Sequence, residues 1–293
     1  MLELLLAHEA QFRYYALLAA FGGAALLESF VAREPVSRAG PRWRVALVLT
    51  SLGALLAQAA YPLIAVEVAL WGEREGIGLL NLIQAPAWVE AIVALILLDL
   101  LRYGEHWLLH RVPWLWRLHR VHHSDTEYDA STGLRFHPLE ALVTAGFHVA
   151  ALVALGASPL VVLAHEIVYA FASAWAHANL RLPANVDRAL RRVVVTPTLH
   201  AVHHSSAAGD ANRNFTAFLC VWDRVFGTYA DASARPGPMR YGLADAGDSP
   251  RQDLGWLLAM PFVRESGNGP AARRARGPAA SPERAARRGT MRP

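Results

Sequence analysis

The chain has 293 residues, of which 54% are apolar and 18% are charged, and its mean hydropathy is +0.23. Soluble domains usually carry about a quarter charged residues, so this composition favours a membrane protein. The single cysteine, Cys220, excludes an intrachain disulfide and any zinc or iron–sulfur site built from cysteines. The net charge is +4, and much of that excess lies in an arginine-rich C-terminal tail. We expect this tail to be solvated and disordered from about residue 264, and we expect no nucleic-acid partner.

Three apolar stretches before residue 102 are each near the roughly 20 residues that a bilayer crossing needs. They predict membrane helices over 14–30, 45–71 and 88–101, with a short loop over 72–86. The third helix is expected to continue beyond the bilayer through the sequence DLLRYGEHWLLH. Acidic Glu3 and Glu9 flank the first run of leucines, so a cleavable signal peptide is a poor fit.

Two further apolar stretches, 139–154 and 160–176, surround the sequence LGASP, where a glycine and a proline favour a turn. They form either two thin crossings or a helical hairpin that dips into the membrane, and in both cases the chain returns to the side it left. The predicted fold is therefore an all-α, polytopic membrane helix bundle. It has about four to five spans, or three spans plus a helical hairpin.

Arginine placement predicts the orientation of this bundle. Arginines cluster at 33–44, at 102–120 and at 181–192. These segments lie on one side of the membrane if the first three spans alternate and the hairpin returns. The positive-inside rule makes that side cytoplasmic. Every histidine cluster would then face the cytosol, in a helical cap at the membrane surface.

Histidines cluster at three places in the sequence. In DLLRYGEHWLLH, His106 and His110 lie one helical turn apart and project together, as two ligands of one metal would. Asp99 and Tyr103 continue the same face towards the membrane. An acidic residue there is costly and marks a functional candidate.

The sequences HRVHHSD and HAVHHSS repeat a His-x-x-His-His spacing. On a helix these positions lie on one side, so two residues can hold one metal while the third reaches another, or all three can bind one ion. His177 is placed beside these clusters by the topology. His137, before the hairpin, is a ligand or a hydrogen-bonding partner of one. His148 and His165, inside the hairpin, are expected to be structural.

This count gives nine candidate metal ligands, which exceeds what one ion can use. Two metals a few ångströms apart fit better, although imidazole suits iron, zinc and copper alike. Metals that cap an apolar helix cluster would meet lipid substrates with inert C–H bonds, which require O₂ and a redox metal, so iron is favoured. The candidate ligands are His106, His110, His119, His122, His123, His177, His200, His203 and His204.

Seven motifs between residues 99 and 229 together resemble the fatty acid hydroxylase / sterol desaturase superfamily of integral-membrane di-iron enzymes. The resemblance implies that cytosolic cap histidines hold two iron ions, which activate O₂ to hydroxylate or desaturate a lipid. It divides the chain into N-terminal membrane helices (1–87), a catalytic domain (88–235) and a C-terminal extension (236–293). The motifs are DLLRYGEHWLLH, HRVHHSD, RFHPLE, WAHANL, HAVHHSS, NRNF and WDRVFGTY.

The family pattern also implies a separate electron donor, a ferredoxin or a cytochrome with its reductase, because nothing in this chain resembles a haem domain or a dinucleotide loop. WDRVFGTY is expected to be structural, with Trp222, Phe226 and Tyr229 on one helical face. Candidates to orient the ligands by hydrogen bonds are Asp99, Tyr103, His137, Asn179, Asn214 and Asp223.

Two other functions fit the histidine content less well. A metal transporter would place its ligands at mid-membrane between helices, whereas here they follow the apolar spans. A di-zinc membrane hydrolase would be expected to carry carboxylate ligands and hydrolytic motifs. The sequence leaves open whether the favoured oxygenase hydroxylates or desaturates its lipid, and which lipid that is.

Overall fold

A computed structural model describes residues 7–61, 65–83, 85–207, 209–231, 239–243 and 251–263. These residues form α-helices, short 3₁₀ turns and isolated bridges, and no β-strand, as the all-α prediction required. The predicted basic tail from 264 lies outside the described residues. In chain order the α-helices are α1 (Glu9–Val31), α2 (Ala39–Ala60), α3 (Val66–Glu75), α4 (Ala87–Arg111), α5 (Pro113–His123), α6 (Pro138–Leu155), α7 (Pro159–His177), α8 (Ala184–Leu190), α9 (Pro197–His203), α10 (Val221–Val225) and α11 (Leu254–Ala259).

Four of these helices, α1, α2, α6 and α7, are long and apolar enough to cross a membrane. Helix α4 reaches that standard only together with the segment Val66–Leu82, to which it is bent by 86°. Large apolar side chains point outwards from these helices, including Phe30 at 77% and Leu55 at 69% exposure. The chain is thus a multi-pass integral membrane protein, with four to five spans as predicted.

The second predicted span, 45–71, is wrong in its extent. Helix α2 ends at Ala60, and α3 begins as a separate helix at Val66. Tyr61 precedes a proline in the sequence, and steric conflict with a following proline ring disfavours helical backbone. Its φ of −120° and ψ of 92° are extended. The predicted loop is also shorter than expected, because α3 continues to Glu75.

The third predicted helix does continue past its apolar part, because α4 is unbroken over 25 residues. The helices α6 and α7 form the predicted hairpin. Their connection passes close to the loop after α3, and both segments carry a glycine at the point of contact. A Cβ atom on Gly78 would lie 2.3 Å from Cα of Gly156, and both glycines have positive φ. This crossing therefore requires glycine.

The arginine-rich segments meet at one end of the bundle. The chain after α1 pairs with the chain after α7, where the backbone N–H of Arg33 donates to the carbonyl of Asn179 over 2.9 Å. Arg42, in the first turn of α2, binds Asp125 just after α5 at 2.8 Å. The C-terminal end of α4 and the start of α6 reach the same end. The geometry assumed for the positive-inside argument is therefore present.

The parts of the chain on either side of residue 88 share hydrophobic cores. Val66 of α3 packs in one cluster with Leu98, Leu152 and Val162 from three later helices. A second cluster joins Leu49 of α2 with Val121 of α5 and Leu257 of α11. The boundaries at 88 and 236 remain predictions, since both flanking parts contribute to the packing that holds the histidine-bearing helices.

Candidate metal centre

The histidines come from four helices that end at the same place. His106 and His110 occupy the last turns of α4, and His177 is the last residue of α7. Helix α5 reverses the chain directly after α4, with Pro113 at its first position, where a proline needs no hydrogen-bond donor. Helix α9 begins at Pro197 and is capped by Thr196, whose hydroxyl accepts from the N–H of Leu199.

The structure brings all nine candidate histidines together, and we call this set the cap cluster. Their ring nitrogens form three overlapping groups in which all ligand atoms lie within 4.8 Å of one another. Such proximity between so many imidazoles is the arrangement that bound metal ions require. The groups are His106, His110, His119, His123 and His203; His122, His123 and His204; and His177, His200 and His204.

Each repeated triplet divides its histidines between the two sides of the cap cluster. From the first triplet, His119 and His123 join the five-membered group, while His122 faces the other side. The second triplet does the reverse, since His203 joins the five-membered group while His200 and His204 lie opposite. Each triplet is thus spread over both sides of the cap cluster, as the reading in which one triplet reaches two ions requires.

Three histidines of the larger group have one ring nitrogen fixed by an oxygen. Nδ1 of His106 lies 2.5 Å from the carbonyl of Phe215, and Nδ1 of His203 lies 2.7 Å from that of Arg213. Nδ1 of His119 lies 2.6 Å from Oε1 of Glu140. A carbonyl can only accept, so Nδ1 carries the proton in His106 and His203, and Nε2 keeps its lone pair.

The lone pairs of these histidines face each other. Nε2 of His106 is 3.1 Å from Nε2 of His119 and 3.1 Å from Nε2 of His203. His106 and His203 both present an acceptor at Nε2, and two acceptors at this distance repel unless a cation lies between them. The buried atoms Nε2 of His110 and Nε2 of His123 have no hydrogen-bond partner. Because buried polar nitrogens are otherwise almost always bonded, this group fits a metal ion.

The opposite side of the cap cluster has the same features with fewer anchors. Nδ1 of His177 donates to the carbonyl of Ser173 over 2.8 Å. Its Nε2 lies 3.3 Å from that of His122 and 3.2 Å from that of His200. Nε2 of His204 is buried without a partner, as is Nδ1 of both His122 and His200. These residues fit a second ion beside the first.

Burial keeps the cap cluster uncharged. It lowers the pKa of His119 to about 3 and lowers the pKa values of His203 and His204 well below their usual range, with neighbouring imidazoles lowering the latter two further. A neutral imidazole is the form that binds a metal. The acidic residues that follow α5 form salt bridges with an arginine, since Arg42 contacts Asp125 at 2.8 Å and Asp129 at 2.6 Å.

Glu140 and the carbonyl of Phe215 are contacts that sequence reasoning missed. Glu140 lies in the first turn of α6 and is 1% exposed. A carboxylate that accepts from a ligand imidazole fixes the tautomer and raises the basicity of the ligand. The only signal in the sequence was an acidic residue at the start of an apolar helix, within the motif RFHPLE.

Three of the predicted orienting residues support the cap cluster through the backbone. Asp223 is fully buried and accepts from the N–H groups of Phe215 and Thr216, so it fixes the loop that holds His106. Asn214 donates to the carbonyl of Leu199, next to His200. Tyr103 bonds Thr228, a partner of the same aspartate.

The other three have contacts away from the imidazoles. Asp99 accepts from the indole of Trp222 at 2.8 Å and from the N–H of Leu219 at 3.3 Å. Asn179 pairs with the backbone of Glu34. His137 caps α6, accepting at Nδ1 from the N–H of Leu139. It lies outside the three histidine groups, so its reading as a metal ligand is not supported by the geometry.

The motif WDRVFGTY differs from its predicted shape. Helix α10 ends at Val225, and Gly227 turns the chain with a φ of 69°. Trp222, Phe226 and Tyr229 therefore do not share one helical face. Phe226 instead stacks on Tyr103 with ring centroids 5.1 Å apart, while Trp222 binds Asp99.

A cavity of about 190 Å³ lies against the cap cluster on its membrane side, which we call the inner cavity. Five of the nine histidines line it, together with the hydroxyl-bearing residues Thr144, Tyr169 and Ser173. The histidine groups that could hold metal ions therefore face a space between the helices.

The family model for fatty acid hydroxylase matches residues 91–228. The zebrafish (Danio rerio) cholesterol 25-hydroxylase-like protein 1, member 2, is 31% identical over 201 residues, which cover 64% of this chain and 67% of that protein. The chain belongs to the fatty acid hydroxylase family.

The chain covers less than two thirds of the length of two further relatives. The ornithine lipid hydroxylase OlsE of Rhizobium tropici is 28% identical over 222 residues, or 75% of this chain and 61% of that protein. Human alkylglycerol monooxygenase is 30% identical over 159 residues, or 53% of this chain and 33% of that protein. No solved structure matches the chain.

Proposed function

We propose that this family member is a membrane-bound di-iron oxygenase that hydroxylates a lipid, using O₂ and electrons from a separate donor. The observation that carries the proposal is the convergence of nine buried or partly buried histidines into three overlapping groups. Two of the three relatives are named as hydroxylases and one as a monooxygenase of lipids. These names favour hydroxylation over desaturation. Neither a transporter nor a di-zinc hydrolase receives support from this geometry.

In this proposal the five-membered group holds one iron and the opposite histidines hold the second. Bound iron supplies the redox chemistry that activates O₂ towards an inert C–H bond. The protein contributes fixed ligand positions. Glu140 and the carbonyls of Phe215 and Arg213 hold the Nδ1 protons of their histidines, so that Nε2 is presented as the ligand atom.

Exclusion of water is the second contribution of the protein. Phe136 stacks on His122 with ring centroids 4.5 Å apart, and Phe215 packs against His110 at 5.2 Å. His119 and His203 are at most 1% exposed. A site that activates O₂ has to exclude side reactions with water, and a lipid in the inner cavity would complete this enclosure.

We also propose that the site faces the cytosol. The arginines near the cap cluster, among them the exposed Arg181 and Arg188, lie at one end of the bundle, and the positive-inside rule assigns this end to the cytoplasm. The same charges suit an acidic electron donor. As a test, Asn185→Cys in a Cys220→Ala background should react with a membrane-impermeant maleimide in inverted vesicles. Labelling in intact cells instead would contradict this orientation.

The reaction is tested by lipid mass spectrometry of cells with and without the full chain. We expect one lipid class to gain the mass of one oxygen, and the gain to carry label when the cells are grown under ¹⁸O₂. A loss of two hydrogens would indicate a desaturase instead. Purified protein that contains zinc and hydrolyses an ester without O₂ would contradict the proposal.

A further inference from the structure

An ion pair lies between the helices, on the turn of α4 that precedes the first histidine of the cap cluster. Arg102 and Glu105 of α4 contact each other at 2.9 Å, with side chains 19% and 11% exposed. The guanidinium lies 4.7 Å from the ring centre of Tyr169 in α7. Because ionised side chains that are largely removed from water are costly, the pair is a candidate for a functional role.

The pair is only partly satisfied. Nε of Arg102 and Oε1 of Glu105 are buried and have no hydrogen-bond partner among the described residues. An unsatisfied buried donor and an unsatisfied buried acceptor each carry a desolvation cost that no partner offsets. A pair of apolar residues would avoid that cost and would often be at least as stable. The arrangement is therefore better explained by a ligand that supplies the missing partners.

The pair also stands between two cavities. Both residues line the inner cavity beneath the histidines, and both line a larger cavity of about 600 Å³ between α4 and α6. The larger cavity is otherwise almost entirely apolar, and its lining includes the exposed Leu101, Phe147 and Phe226. It therefore opens towards lipid, whereas the inner cavity ends at the metal ligands.

The chemistry of the pair restricts what can bind to it. Its two charges already neutralise each other, so a ligand with a net charge would bring an uncompensated charge into an apolar region. One free donor and one free acceptor suit a neutral group that both accepts and donates a hydrogen bond. A secondary amide and a hydroxyl meet this requirement, whereas an ester, an ether or a plain chain does not.

We propose that Arg102 and Glu105 bind an amide or hydroxyl group of the lipid substrate, and so place a carbon a few bonds away from it beneath the cap cluster. The apolar chain then occupies the larger cavity. Arg102 lies one turn before His106 on α4, which corresponds to ~6 Å along the helix. This inference rests on the proposed function, and it narrows the substrate to lipids oxidised close to a neutral polar group.

Binding without turnover tests the inference. The full chain in lipid nanodiscs is titrated, without O₂ or reductant, with three lipids of equal chain length: a secondary amide, its N-methylated tertiary amide and the hydrocarbon. The secondary amide should bind at least about tenfold more tightly than the other two, because only it pairs with both free atoms. Equal binding of all three would overturn the proposal.

Two variants test whether the preference for the secondary amide depends on Arg102 and Glu105. The double variant Arg102→Leu, Glu105→Leu removes both charges together and is expected to fold, because no unpaired charge remains. It should bind the three lipids equally. Glu105→Gln should reduce the preference for the secondary amide severalfold, while Glu90→Gln, on the same helix and lining neither cavity, should keep it. A double variant that retains the preference would overturn the assignment.

Iron content separates this inference from the proposed function. Wild type and the double variant should contain the same amount of iron, because neither substituted residue belongs to the histidine groups. A lipid preference that depends on the pair, in a protein without iron, would contradict the di-iron proposal and leave the lipid-binding role intact. Loss of iron in the double variant would instead show that the pair supports the metal site, against this inference.

Discussion

Two sets of histidines in this chain have opposite surroundings. In the cap cluster imidazole faces imidazole, with Nε2 atoms of His106 and His119 only 3.1 Å apart. In the hairpin, His148 and His165 stack with ring centroids 6.3 Å apart, and Nε2 of His148 lies 3.6 Å from a carboxylate oxygen of Glu166. Two imidazole nitrogens that face each other as acceptors need a cation, whereas Nε2 of His148 has a carboxylate of the protein within ion-pair distance.

The comparison separates two uses of the same residue. Four of the cap-cluster histidines are fixed at one ring nitrogen by an oxygen, and the nine come from distant parts of the chain. The hairpin histidines belong instead to an ionic network within the membrane helices, in which Arg13 also contacts Glu166 at 3.4 Å. Substitutions in the cap cluster and substitutions in the hairpin should therefore differ in their effect on metal binding.

The largest effect is expected for His203→Ala. Nε2 of this residue faces that of His106, and Nδ1 is bonded to the carbonyl of Arg213, so its loss removes a preorganised ligand. We expect at least one of the two irons to be lost and the oxygenated lipid to disappear. Elemental analysis and lipid mass spectrometry check this, and full iron content in the variant would contradict the ligand assignment.

Arg42→Ala should mainly reduce stability. It removes the arginine that contacts Asp125 and Asp129, which are 4% and 2% exposed, whereas Arg135 stays 4.0 Å from Asp125. Leaving buried charges unpaired costs about 3–5 kcal/mol. The thermal unfolding midpoint in detergent should fall clearly, and Arg38→Ala, at a neighbouring position that contributes no ion pair to these carboxylates, serves as the control. An unchanged midpoint would show that these acids are solvated.

Glu140→Gln tests the carboxylate that contacts the imidazole of His119 in the cap cluster. The amide keeps the size of the side chain and an acceptor for His119 but loses the charge. Substitution of such partners typically reduces metal affinity 10- to 100-fold. Competition with a chelator measures this loss. Unchanged iron retention would mean that the contact at 2.6 Å does not tune the ligand.

The metal-free protein should lose stability in acid. The pKa of His119 is lowered by burial from its ordinary value of about 6.5 to about 3, so the unfolded chain binds a proton more readily. Stability is complete above pH 6.5 and decreases as the pH falls towards 3, by ~2 kcal/mol at pH 5 for this residue. Denaturation curves at pH 7 and pH 5 check the sign, and greater stability at pH 5 would contradict it.

The smallest effect is expected for His148→Ala. This histidine lies within the membrane helices and outside all three histidine groups. Iron content should equal that of wild type, and stability should change by about 1 kcal/mol. A loss of iron comparable to that of His203→Ala would remove the distinction between the two sets of histidines.

The sequence predicted the cap cluster better than its surroundings. Spacing at i, i+3 and i+4 determines which side of a helix a residue occupies, so the two triplets and the pair on α4 could be placed before their partners were known. The apolar hairpin placed His177 at the same end. No local pattern reveals Glu140 or the carbonyl of Phe215, because those contacts arise only when α5 packs on α6 and the segment before α10 packs on α4.

The errors have local physical causes. The second span was drawn too long because its apolar character continues past the proline that follows Tyr61, although helical backbone does not. For His137 the sequence left open a ligand role or a hydrogen-bonding role, and its position directly before Pro138 makes it the cap of α6, where Nδ1 accepts from the N–H of Leu139. The unsatisfied pair on α4 was invisible as well, because it depends on a cavity formed between helices.

The central claim is that the cap cluster holds two iron ions. The most direct test is the iron content per chain of the full-length protein, purified from iron-replete cells, with His148→Ala and His203→Ala measured beside it. We expect about two irons in wild type and in His148→Ala, and fewer in His203→Ala. Absence of iron from the wild-type protein, or equal iron in all three, would contradict the claim.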